Sequence, residues 1–219
     1  MEVLHGALTA LKPTVFLNIA VHEGVVAIEA ETPSYTVCAR IPTLATGTGA
    51  AHTYKTEHAL TACNNCTKIT EENGTLTFFQ VSSGFFIQRS IQPVIYTLST
   101  EEALSEYTTQ VSLKISVFKK LLPFFKDGDV TIFLSNGVLY MHASSTEGED
   151  VLKLSSITIH QEGTDKGKVP FSALKHVAPL LPFCESISLM FNSTHLSLLL
   201  IFKEDLAHYT VVAGTKPLD

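Results

Sequence analysis

Val21-His22-Glu23-Gly24-Val25-Val26-Ala27-Ile28-Glu29-Ala30 is followed, 113 residues later, by Leu134-Ser135-Asn136-Gly137-Val138-Leu139-Tyr140-Met141-His142-Ala143. Both stretches end one apolar-alternating segment, turn, and begin another, and alternation with a period of two is the mark of a half-buried strand. Gly24 and Gly137 stand at the turn position that calls for positive φ, with Glu23 or Asn136 before them. A hairpin recurring at a fixed offset indicates one supersecondary unit used twice.

The repeat extends in both directions. Upstream, Leu4, Leu8 and Leu11 overlie Val117, Leu121 and Phe124, giving each copy an amphipathic helix. Downstream, a third strand ends at Ile41 or Leu154. A polar Gly-containing loop, a second helix and further strands follow. Helical spacing covers only residues 3–12, 56–66, 116–126 and 171–183. Pro123, Pro179 and Pro182 require the last two to be short, kinked or ended there. Strand patterns cover residues 15–21, 25–30, 35–41, 75–81, 85–91, 130–134, 138–143, 187–191, 196–201 and 208–212. The unit is therefore helix, three strands, helix, strands. It is expected as domains 1–91 and 110–219, joined by an aperiodic linker 92–109 that contains Pro93. The fold class is α+β, with both helices of each copy on one face of antiparallel sheets.

Composition removes several alternatives. The chain has 219 residues, 45% hydrophobic and 16% charged, with no Trp and four Cys, a balance that excludes disorder, collagen and coiled coil. The longest apolar runs, such as 197–202, fall far short of the roughly 20 residues of a membrane span, and the start shows no basic region followed by an apolar stretch. No membrane partner is expected. Cys38, Cys63, Cys66 and Cys184 read as free thiols of a reducing compartment. Cys63-Asn64-Asn65-Cys66 has the spacing of half a zinc site, but no second ligand pair follows, so both cysteines read as ordinary helix residues and no metal is expected. The nine His are scattered singly, and the sequons at Asn65, Asn73 and Asn192 read as chance. There is no phosphate-binding glycine loop, no Gly-flanked nucleophilic Ser and no paired-acid motif. The expectation is a non-enzyme with no catalytic residues and no cofactor.

Net charge is −6, from 15 Lys and Arg against 21 Asp and Glu, which argues at first against nucleic acid. Divided by element, the charge separates. The helical stretches, counted with residues 2 and 55, carry Lys12, Lys55, Lys119, Lys120, Lys126 and Lys175 against Glu2 and Glu57, a net of +4. The remaining nine bases and nineteen acids net −10. Solvent-facing helices normally carry both signs. A basic helical side on an acidic body is the footprint of a polyanion held on one face.

Residues 169–180 (Val-Pro-Phe-Ser-Ala-Leu-Lys-His-Val-Ala-Pro-Leu), 186–191, 196–202 and the close Ala207-His208-Tyr209-Thr210-Val211-Val212-Ala213-Gly214 resemble the last helix, hairpin and final strand of the DNA polymerase sliding clamps. The resemblance covers nearly the whole chain. It implies a ring of duplicated clamp domains whose helices line a hole for duplex DNA. Two domains in this length resemble the homotrimeric kind, nearer in length to tailed-phage clamps than to proliferating cell nuclear antigen. The resemblance also implies a processivity factor that binds double-stranded DNA without sequence reading and tethers the replicative DNA polymerase after a clamp loader places it. It would act in the cytoplasm of an infected bacterial cell if phage-encoded, or in the nucleus if eukaryotic.

Carried over by position, His58 and His176 join the six Lys at the phosphates. Peptides dock on Ala30, Val94, Ile95, Tyr96, Leu196, Val212 and Ala213. Subunits meet through Phe85, Ile87 and Arg89 of one chain and Val151, Leu152, Lys153 and Leu154 of the next. Arg is scarce, Arg40 and Arg89 only, which points to a looser grip on DNA than in more basic clamps. The alternatives are a monomeric viral processivity factor, a checkpoint-type hetero-ring subunit and, more distantly, a β-rich viral scaffold protein.

Overall fold

The computed structural model describes residues 1–95, 106–125, 128–145, 148–203 and 207–214. These form two compact units, one of residues up to 95 with 207–209, the other of 106–203 with 210–214.

In the first unit α1 (Glu2–Ala10) buries Leu4, Ala7 and Leu8, and Leu11 closes the same stripe from the turn that follows. Strands β1 (Phe16–His22), β2 (Val25–Glu31) and β3 (Thr36–Pro42) form a meander, with Val21 opposite Val26 and Ala27 opposite Arg40. Alternation sends Leu17, Ile19 and Val21, Val26, Ile28 and Ala30, and Val37, Ala39 and Ile41 into the core. Each fully buried Val, Leu or Ile side chain there stabilises the unit by about 1.5–3 kcal/mol over exposure. After β4 (Ala45–Thr46), β5 (Ala51–Lys55) returns along β1 and leads into α2 (Thr56–Cys63), which packs against α1. β6 (Lys68–Glu72), β7 (Thr75–Ser82) and β8 (Phe85–Ile91) complete the unit. Its sheets run β3-β2-β1-β5 and β4-β6-β7-β8.

The second unit opens with β9 (Thr109–Lys114), α3 (Ile115–Leu121) and a 3-10 turn, Leu122–Phe124, that holds Pro123. β10 (Asp129–Ser135), β11 (Val138–Ser145) and β12 (Gly148–Leu154) repeat the meander. β13 (Thr158–Gln161), β14 (Lys166–Pro170), α4 (Phe171–His176) and a 3-10 turn, Ala178–Phe183, follow. β15 (Cys184–Phe191), β16 (His195–Phe202) and β17 (His208–Gly214) end the described chain. The sheets run β12-β11-β10-β14 and β13-β9-β15-β16-β17. Proline keeps both helices short, as expected, because its ring clashes with the preceding turn.

The duplicated hairpins are present in register. Asn136 and Gly137 both have positive φ, +52° and +73°, as a type I′ turn requires, whereas in the first copy only Gly24 does, at +76°. The helices differ from the expected alignment by one residue. α3 and its turn bury Phe118, Leu121 and Phe125, while Val117 is half-buried and Phe124 is 58% exposed. Leu4, Ala7 and Leu11 therefore correspond to Phe118, Leu121 and Phe125, a one-residue offset from the hairpin register.

The units also differ by a strand. In the second, β9 lies between β13 and β15, antiparallel to both. In the first, no described strand precedes α1, and β4 pairs directly with β6 in parallel. Removing the middle strand of an antiparallel triplet leaves its neighbours parallel, so β4 keeps the direction of β13 while moving one place inward. The loop after β4 is drawn tight: a Cβ on Gly47 would lie 2.5 Å from the Val21 carbonyl oxygen. It is fixed by the buried Glu71, whose carboxylate accepts from the Thr48 N–H (2.9 Å), the Thr48 hydroxyl (2.7 Å) and the Gly74 N–H (2.8 Å).

Candidate functional site

Two basic residues of the first unit, Lys12 and Lys55, sit where the end of α1 meets the start of α2. Lys12 lies in the turn after α1 and Lys55 is the residue at which α2 starts; both are exposed. The Thr14 and Thr56 hydroxyls are 3.0 Å apart, and the Thr56 N–H donates to the Val15 carbonyl, which ties the two segments together. His58 is exposed on the first turn of α2, beside Glu57. In the second unit Lys119 and Lys120 occupy the last turn of α3 and Lys175 the last turn of α4, all exposed. There a cation also complements the negative end of the helix. None of these five Lys forms an ion pair with an acid among the described residues. Lys126 lies outside the described residues.

Two further cations join the set. Lys114 is exposed at the start of α3. Lys203, exposed at the end of β16, donates from Nζ to the Pro182 carbonyl at 3.1 Å. Burial pushes the Cys184 thiol up to about 12 while the charges of Lys119 and Lys203 pull the other way. Lys203 belongs to a strand end and carries no helical signal, so a count of charge by helix passes over it.

Each unit also ends one of its sheets on an exposed strand. β8 pairs only with β7, and β12 only with β11, among the described residues. β8 exposes Phe85 (51%) and Phe86 (59%) and keeps Ile87 and Arg89 half-buried; β12 exposes Val151 (49%) and Lys153 and keeps Leu152 and Leu154 half-buried. An apolar, unpaired edge is a pairing surface.

No protein-family model matches the sequence, and none of the curated proteins does. Solved structures match nearly end to end. A PCNA2-PCNA3 complex from Sulfolobus tokodaii superposes with a TM-score of 0.80 at 11% identity, over 98% of this chain and 96% of that one. The proliferating cellular nuclear antigen of Entamoeba histolytica gives 0.80 at 14% identity, over 99% and 96%. The fold is that of the PCNA-type sliding clamp. At such identities the likeness is one of backbone, and the clamp fold here is written in different side chains.

Several positions expected from the resemblance to meet DNA or peptides are buried. His176 is 7% exposed on the inner stripe of α4 with Phe171, Ala173 and Leu174. Burial holds its imidazole down to about 4, so it is neutral at pH 7 and adds no charge for phosphate. Ala30, Leu196 and Ala213 are 0–1% exposed core side chains, because strand alternation turns each inward. Val94 and Val212 are half-buried and Ile95 is fully exposed; the Val94 N–H donates to the Thr53 carbonyl at 2.8 Å, fixing the chain just before Ile95. Tyr96 lies outside the described residues. Among the described residues no cluster of His, Cys, Asp and Glu is arranged for a metal ion, and no helix is long and apolar enough to cross a membrane.

Proposed function

We propose that the chain is a sliding clamp that closes into a homotrimeric ring, encircles duplex DNA without reading its sequence, and tethers the replicative DNA polymerase as a processivity factor after a clamp loader opens the ring. The observation that carries this reading is the set of exposed Lys at the helix ends of both units, Lys12, Lys55, Lys119, Lys120 and Lys175, none in an ion pair among the described residues, on a chain of net charge −6 with a clamp fold. Lys is suited to a sliding contact. Its ammonium is a mobile point charge that exchanges between phosphates, whereas a bidentate Arg would fix register. The acidic remainder repels DNA from the outer surface. Edge strands β8 and β12 close the ring by pairing between chains, which removes both open edges at once. Ile95, with Val94 beside it in the chain, is the apolar surface offered to partner peptides.

A hetero-ring is the second reading. One of the structural relatives is a complex of PCNA2 with PCNA3, and a ring of unlike chains uses the same two edges. Sedimentation velocity over a range of concentrations, paired with primer extension on a circular template, tests the proposal. A species of three chain masses that stimulates the cognate polymerase supports it. A monomer at every concentration refutes the self-closing ring, and a mass gain only on adding a second chain type gives the hetero-ring.

A further inference from the structure

Cys63 and Cys66 remain outside the clamp reading, and the structure arranges them more specifically than their spacing suggests. α2 ends at Cys63, so Cys66 is not helical. Asn64 has φ −59° and ψ 118°, Asn65 has φ +56°, and the Cys66 N–H donates to the Cys63 carbonyl at 3.1 Å. These are the dihedrals and hydrogen bond of a type II β-turn, with Asn at the position that must be left-handed. Such a turn holds its first and fourth Cα within about 7 Å, and disulfides bridge Cα atoms about 4.4–6.8 Å apart. The two sulfurs are already 3.6 Å apart.

We propose that Cys63 and Cys66 form a dithiol that closes reversibly to an intramolecular disulfide in the folded chain, with a small-molecule disulfide as oxidant. The Cys66 thiolate attacks one sulfur of RS–SR and expels RS⁻, giving a mixed disulfide. The Cys63 thiol loses its proton to solvent and attacks the Cys66 sulfur, expelling the second RS⁻. The protein gains one S–S bond and the reagent leaves as two thiols.

The order of attack follows from the pair's own hydrogen bond. With Cys63 as donor in the Sγ–Sγ hydrogen bond, that bond holds the Cys66 thiol down, while the same bond and burial push Cys63 up. Arg89, whose Nη1 donates to the Asn64 carbonyl at 3.3 Å, is a cation on the same side of the turn. Both thiols are buried, at 2% and 5% exposure, but Asn64 and Asn65 between them are exposed. Rotation of one surface turn admits the oxidant without unfolding the unit. Cys184 is fully buried and shares none of this geometry. The couple stands whether or not the chain forms a ring.

The test equilibrates the full chain with reduced and oxidised glutathione at several ratios, natively and in denaturant, followed by acid quench, alkylation and mass analysis of the peptides. The expected result is a Cys63–Cys66 disulfide formed at least tenfold more favourably in the native chain than in denaturant, with Cys38 and Cys184 reduced. Cys63→Ser should instead trap glutathione on Cys66. Four free thiols in the native chain, under conditions that oxidise the denatured one, would overturn the proposal. So would glutathione on Cys66 of the parent in the same yield as in Cys63→Ser.

Discussion

Glu71 is the strongest single test of how the first unit seals the place that β9 fills in the second. Its side chain is 1% exposed and stands 3.8 Å from His52 Nε2. Its oxygens accept three hydrogen bonds, two from Thr48 and one from Gly74. Removing the carboxylate in Glu71→Ala leaves the N–H groups of Thr48 and Gly74 without that acceptor, at about 1–3 kcal/mol each. The carboxylate's own desolvation cost is recovered, so the three bonds do not simply add. The net loss is about 3–5 kcal/mol, which in a chain of this size lowers the unfolding midpoint by on the order of 10 °C. Glu71→Gln keeps one carbonyl oxygen but turns an NH2 toward a donor, and is expected to lose about half as much.

The pH dependence has a definite sign. The Thr48 N–H, then the Thr48 hydroxyl, the Gly74 N–H and His52 hold the Glu71 carboxyl below its usual range against the opposing effect of burial. A folded-state pKa below the unfolded value binds fewer protons in the fold. The contribution is therefore complete above an unfolded pKa of about 4.3 and drains away as pH falls through the lower folded value. Circular-dichroism melts at pH 7 and through the acid range read both effects. A Glu71→Ala midpoint within about 2 °C of the parent at pH 7, or a Glu71→Gln chain with the parent's acid slope, would refute this account of the loop.

Replacing Lys119 and Lys120 together by Ala should weaken retention on duplex DNA and flatten its dependence on salt, by about 0.9 in the log–log slope for each phosphate no longer neutralised; an unchanged slope in titrations at several salt concentrations removes these residues from the interface. Ile87→Lys on β8 or Val151→Lys on β12 should each shift sedimentation from the ring toward the monomer while leaving the monomer's melt within about 1 kcal/mol of the parent, since both lie on exposed edges. A ring mass unaffected by either places the junction elsewhere.

The hairpins and the duplication were legible because Leu17 to Val21 and Val130 to Leu134 alternate cleanly and glycine marks their turns. Proline gave the short helices for an equally local reason. The strands missed in the sequence are short: β5, β6, β13 and β14 are four or five residues long, and β5, β13 and β14 pair with strands far along the chain, whereas β9 alternates, with Val111 and Leu113 buried, but runs on directly into α3. In β5, Thr53 and Tyr54 are buried side by side, which breaks the alternation. Lys166-Gly167-Lys168-Val169-Pro170 has little strand propensity and is held by its register with β10. The exposed Lys were readable because a Lys in a helix with no acid nearby faces solvent. His176 was not, because a polar side chain gives no sign in itself of lying on the inner stripe of α4 with Phe171, Ala173 and Leu174. Among the carried-over pocket positions Ala30, Leu196 and Ala213 are buried, because likeness in backbone position does not say which way a side chain points.

The central claim is that DNA passes through a closed ring, and topology tests it most directly. With its loader, the clamp is placed on nicked circular duplex, excess protein is removed by gel filtration, and half of the sample is cut once with a restriction enzyme. The account predicts that the protein stays with the circle in salt that abolishes ordinary phosphate binding and runs off the linear product. Equal retention on circular and linear DNA, or loss from both as salt rises, would contradict it.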